Sequence, residues 1–117
     1  MIKLLAVLVL LSFNIQAREV LSNTTKEQIC VAGYTKTVRP NSTKIAKWEL
    51  AHLQVGQLAK DYVVDHIVPL EVGGAPMGNN LQLQTYADSK AKDLIEHKAH
   101  RDLCAGRITL QQAQDLF

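Results

Sequence analysis

The stretch from Tyr62 to Cys104 constrains the fold more than any other part of this 117-residue chain. Tyr62-Val63-Val64-Asp65-His66-Ile67-Val68 is β-branched and aromatic, which favours a strand, and Pro69 then removes a backbone donor and ends it. Gly73-Gly74-Ala75-Pro76-Met77-Gly78-Asn79 has the composition of a loop. Asn80-Leu81-Gln82-Leu83-Gln84 alternates polar and apolar, the pattern of a short strand. A helix is predicted from Ala87-Asp88 to about Cys104, closed by Gly106. Its buried face is expected to be Ala91, Leu94, Ile95, Ala99 and Leu103, with Ser89, Asp93, Glu96, His97 and His100 on the other. Strand, loop, strand and helix in this order point to a small α+β domain.

The flanks add helices. Residues 18–29 are polar and mixed, and read as a mobile N-terminal lead. Val31, Tyr34, Thr35, Thr37 and Val38 favour a short strand or irregular arm from Cys30 to Val38. Arg39-Pro40-Asn41-Ser42-Thr43 is a turn in which Ser42 or Thr43 can cap a helix. That helix is predicted over Lys44 to Val55, with Gly56 as its stop, Trp48 directed to the core and His52 a surface or packing residue. Residues 57–61 form a linker. A short helix over Ile108 to Gln114 has Thr109 as a possible cap.

Length sets the prior at one domain. The first residues are expected to lie outside it. Lys3, an apolar run from Leu4 to Leu11, and Ala17 before a polar segment have the pattern of a signal peptide over residues 1–17. The run falls short of the roughly 20 residues of a membrane span, and an uncleaved anchor is the alternative. Cleavage after Ala17 predicts an exported protein, periplasmic or secreted, with a domain over residues 30–117 and no membrane partner. A domain this small has a small core and benefits from a covalent staple. Cys30 and Cys104 lack zinc-finger spacing, and export favours a disulfide between them over two buried thiols. The net charge is +2, and removal of Lys3 lowers it by one, which excludes a strongly basic nucleic-acid coat.

Asp65 and His66 carry the chemistry. Phosphodiester cleavage needs a base to activate water, a cation to neutralise developing charge, and a grip on the phosphate. Imidazole titrates near neutrality and suits the base, and a carboxylate suits a hard divalent cation. Neighbours on a strand point to opposite faces, so both serve one site only where the strand ends or bulges. Asn80 can hydrogen-bond across the loop and orient His66. Arg39 can clamp a phosphate or make a structural ion pair, and Lys92 on the helix is a second phosphate-binding candidate. Glu71, beside the Gly-Gly turn, reads as an exposed loop carboxylate.

The ordered set Asp65-His66, Gly73-Gly74 and Asn80-Leu81, followed by a helix, resembles the HNH endonucleases, whose site is a β-hairpin plus helix, the ββα-metal motif. Ile29-Cys30-Val31-Ala32-Gly33-Tyr34-Thr35 with Val38-Arg39-Pro40 is similar to the front half of a group of small exported bacterial HNH-like proteins. Lys92-Asp93-x-x-Glu96, Cys104-x-Gly106 and Ala113-Gln114 are similar to the back half, so the resemblance covers most of residues 28–115. It implies a metal-dependent endonuclease in which His66 is the base, Asp65 binds metal and Asn80 fixes the loop carrying the base. It also implies a divalent ion, Mg²⁺ or Mn²⁺ before Zn²⁺ or Ni²⁺, and a nucleic-acid partner, DNA before RNA. The metal-binding histidine of the helix falls at Ser89 by spacing, which leaves the ligand set one residue short. Asp93, one turn further on the same face, is the replacement expected first, with Glu96, His97 and His100 as further candidates. The missing histidine and the low net charge also suit a degenerate HNH-like domain kept as a binding or structural module.

Overall fold

In a computed structural model describing residues 18–117, β1 (Tyr62–His66) and β2 (Leu81–Thr85) pair antiparallel as a two-stranded sheet. Val64 stands opposite Leu83, Asp65 opposite Gln82 and His66 opposite Leu81. A lone hairpin is marginal in water, and α4 (Tyr86–Cys104) lies against both strands. It starts directly after β2, where the Thr85 side chain accepts from the Asp88 backbone amide. The architecture is the expected α+β domain, with short helices α1 (Lys26–Ile29), α2 (Tyr34–Val38), α3 (Ser42–His52) and α5 (Leu110–Asp115) around the hairpin and α4. The reading of residues 1–17 as a signal peptide lies outside the described residues. No helix among the described residues is long and apolar enough to cross a membrane.

The core is small and sits below the loop that joins the strands. Ile29, Val68, Val72, Ala99, Leu103 and Ala113 form one buried cluster, contributed by α1, the loop, α4 and α5. The Cys30–Cys104 disulfide joins the end of α1 to the end of α4, with Cα atoms 5.7 Å apart across 74 residues of sequence.

The inward face of α4 differs from the predicted one. Ala99 and Leu103 are buried as expected, but Leu94 is 73% exposed, Ile95 51% exposed, and Ala91 is also exposed. The inward stripe is instead Ser89, Lys92, Glu96, Ala99 and Leu103, at three- and four-residue spacing. The C-terminal half of the helix packs on the apolar core, while its N-terminal half crosses a hairpin that presents the Asp65 carboxylate. Burial of Ala99 and Leu103 turns that edge inward, where Lys92 meets the Asp65 carboxylate, and leaves Leu94 and Ile95 in solvent.

Four further expectations are corrected. Residues 18–29 are packed on the domain rather than a free lead: Val20 bridges Gly74, the Leu21 amide donates to the Gly73 carbonyl, and a capping box between Thr25 and Gln28 starts α1. Residues 34–38 form α2 rather than a strand, because β propensity expresses fit to a pleated surface and the sheet offers them none. The third helix begins and ends earlier than predicted. Asn41, not Ser42 or Thr43, caps it, and Gly56 lies beyond its end. Trp48 is half-buried and stacks on His52, with ring centroids 4.0 Å apart, instead of entering the core.

Candidate active site

β1 ends at His66, and there the chain is cinched. The Ile67 amide donates to the Asn80 carbonyl at 2.8 Å. The Asn80 side chain is fully buried and satisfies three backbone groups: its Oδ1 accepts from the Val68 amide at 2.9 Å, and its Nδ2 donates to the Val68 carbonyl at 2.9 Å and the Ala75 carbonyl at 2.8 Å. Gly74 lets the loop close this tightly, because a Cβ there would lie 1.8 Å from the Val68 carbonyl oxygen. Asn80 therefore supports the loop and makes no hydrogen bond to the His66 ring.

The closed loop delivers a carbonyl to His66. Its Nε2 lies 2.9 Å from the Pro76 carbonyl oxygen. A carbonyl only accepts, so Nε2 carries the hydrogen and Nδ1 keeps a free lone pair in the neutral ring. Burial lowers the His66 pKa below its ordinary value of 6.5. The Pro76 bond and Asp65 oppose that shift, while Arg39 and Lys92 add to it. The ring is thus a neutral, oriented base near pH 7.

His66 and Asp65 open together onto a cleft of about 410 Å³, as the strand end permits. Arg39, Glu71, Asp93, Glu96 and His97 also line it. Arg39 is exposed at the rim and close enough to His66 to affect its charge, a placement that suits a phosphate clamp. Glu71 is half-buried, not an exposed loop carboxylate. Its Oε1 comes within 3.3 Å of His97 Nδ1 but makes no hydrogen bond among the described residues.

Behind the cleft, one ammonium serves two carboxylates. Lys92 Nζ contacts Asp65 Oδ2, lies 2.5 Å from the His66 carbonyl oxygen and reaches Glu96 Oε1 at 3.4 Å. Gln82 Nε2 donates to the same Asp65 oxygen at 3.1 Å. The Phe117 ring centroid lies 5.7 Å from Nζ. Lys92 is closer to Asp65 than to Glu96, so it compensates Glu96 incompletely. Burial pushes the Glu96 carboxyl up to about 7, Lys92 pulls it down in part, and the Asp65 and Glu71 charges raise it further.

Two predicted site residues are placed elsewhere. Lys92, expected to bind phosphate, has a side chain only 13% exposed and an ammonium already held by oxygens, so it is not presented to a ligand in the cleft. His100, a candidate helix ligand, does not line the cleft. Its Nδ1 lies 2.7 Å from the Glu71 carbonyl oxygen and its ring is beside the disulfide, where it anchors the loop. Sequence reasoning missed Gln82 and the Pro76 carbonyl. Gln82 was accessible through register, since it faces Asp65 directly across the hairpin. The Pro76 carbonyl carries no side-chain signal.

The carboxylate expected to bind a divalent ion is already engaged by other side chains. Such an ion takes six or more oxygen ligands, several from carboxylates or water. Among the described residues no group of three or more His, Cys, Asp and Glu side chains converges on a metal position. Asp93 lines the cleft without joining Asp65 in such a group, and Asp65 is engaged by Lys92 and Gln82. Comparison with protein families, characterised proteins and solved structures finds no match to this chain.

Proposed function

We propose that this chain is a nucleic-acid phosphodiesterase of HNH type, acting on DNA before RNA. The observation that carries the reading is His66, held by the Pro76 carbonyl through Nε2 and with no hydrogen bond at Nδ1 among the described residues, on a cleft shared with Arg39 and Glu96. In this mechanism His66 Nδ1 takes a proton from water as the water oxygen bonds to phosphorus. Arg39 neutralises the non-bridging oxygens. The bond from phosphorus to the leaving oxygen breaks, and that oxygen takes the proton of the Glu96 carboxyl. Two titratable groups whose surroundings move their pKa values in opposite directions suit a base and an acid in one cleft. The disulfide fits work in an oxidising compartment.

The test is plasmid nicking by oxidised protein, with chelator and with a panel of divalent ions, beside His66→Ala. Nicking lost in the variant is the expected result. No nicking under any condition sinks the reading. A non-catalytic module that keeps the hairpin and helix is the second reading, and the engagement of Asp65 by Lys92 and Gln82 favours it.

A further inference from the structure

Lys92 is an unusual use of a lysine. Its ammonium is taken out of water and placed among three oxygens from two elements: Asp65 Oδ2 and the His66 carbonyl from β1, and Glu96 Oε1 from one turn further along α4. Two carboxylates and a backbone carbonyl are oxygen donors of the kind a hard cation takes. The Phe117 ring, 5.7 Å from Nζ, adds a cation–π contact. Asp65 and Glu96 reach the cleft beside His66, while Lys92 stands behind them. Ammonium and divalent ion compete for the same negative charge, and the ammonium is covalently supplied.

We propose that the Lys92 ammonium is the resident cation of this site. It occupies the position between Asp65 and Glu96, sets the charge of the cleft wall, and makes a divalent ion unnecessary there. Lys92 is thus a positioning residue that acts through Asp65 and Glu96. Replacing it with an uncharged side chain frees both carboxylates and turns the position into a divalent-cation site. The binding part of this inference stands on geometry alone. Only its activity part rests on the phosphodiesterase reading.

The experiment is Mn²⁺ titration, followed by electron paramagnetic resonance and calorimetry at pH 8, of wild type, Lys92→Met and Lys92→Gln, each first checked for folding by circular dichroism. Lys92→Met keeps most of the aliphatic stem, and Lys92→Gln keeps a donor. The expected result is tighter Mn²⁺ binding in these variants, by about tenfold or more, abolished again when Asp65→Asn is added. No gain in a folded variant overturns the proposal. Should neither variant fold, the wild type decides. Mn²⁺ binding that is lost in Asp65→Asn overturns the proposal, and its absence supports it. In the activity arm, wild-type nicking that persists in chelator supports the proposal, and nicking that requires added Mn²⁺ overturns it. A wild type that nicks nothing counts against the phosphodiesterase reading and leaves the binding arms to decide this one.

Discussion

Asn80 and Val68 are joined head to tail by two hydrogen bonds of 2.9 Å, Val68 amide to Asn80 Oδ1 and Asn80 Nδ2 to Val68 carbonyl. The pair closes the loop between the strands in a place that excludes water. Asn80→Ala would leave the Val68 amide and carbonyl and the Ala75 carbonyl without these partners. A buried unsatisfied group costs about 1–3 kcal/mol, so a loss of roughly 3 kcal/mol or more is expected in urea denaturation. Asn80→Asp is expected to be no better, because a carboxylate oxygen would face two carbonyl oxygens.

Gly74→Ala tests the same closure from the backbone side. Its Cβ would sit 1.8 Å from the Val68 carbonyl oxygen and 2.9 Å from Asn80 Nδ2. Neither can move without opening the loop. The expected outcome is a loss of several kcal/mol, at about the severe end of single substitutions, together with loss of the His66 environment. The His66 ring resonances in NMR would move toward those of a solvent-exposed histidine.

Nicking activity is expected to be bell-shaped in pH. The base works only when His66 is neutral, so the acid limb has its midpoint below 6.5. The acid works only when Glu96 is protonated, so the alkaline limb falls near pH 7. Loss of either group is expected to lower the rate by roughly 10²-fold or more. In the residual rate, His66→Ala lacks the acid limb and Glu96→Gln the alkaline one. An alkaline limb that persists in Glu96→Gln would assign that limb to another group.

Glu96 also links stability to pH. Its folded pKa of about 7 lies above the ordinary value of 4.5. The folded state therefore holds this proton more tightly than the unfolded chain does. The contribution is fully present below pH 4.5 and is lost as pH rises to about 7. Glu96→Gln removes that slope. Because the carboxyl keeps part of its hydration and faces an ammonium, the gain over wild type above pH 7 is expected at about 1–2 kcal/mol, less than the full shift would give. Parallel stability curves from pH 4 to 8 would show that Glu96 does not titrate as argued.

Reduction of the Cys30–Cys104 bridge is expected to cost about 2–4 kcal/mol, since it closes a long loop over a small core. Thermal melts with and without reductant measure it. The double replacement of both cysteines by serine is expected to match the reduced protein.

Elements with local signals are legible in the chain itself. β-branched residues from Tyr62 and the alternation after Asn80 set the two strands, Thr109 capped α5, and Gly106 marked the end of α4. Asp65, His66 and Asn80 were legible as a group because their order around the Gly-Gly loop is a chain property. The rotation of α4 is set by long-range packing and is not legible there. Packing of Ala99 and Leu103 on the core fixes the rotation, and at helical spacing the same edge carries Lys92 and Glu96, so these face the hairpin while Leu94 and Ile95 stay exposed. That choice put a lysine where a metal was expected and moved Glu96 to near-neutral titration. The first follows from a carboxylate 27 residues away along the chain and the second chiefly from burial, and no local pattern carries either.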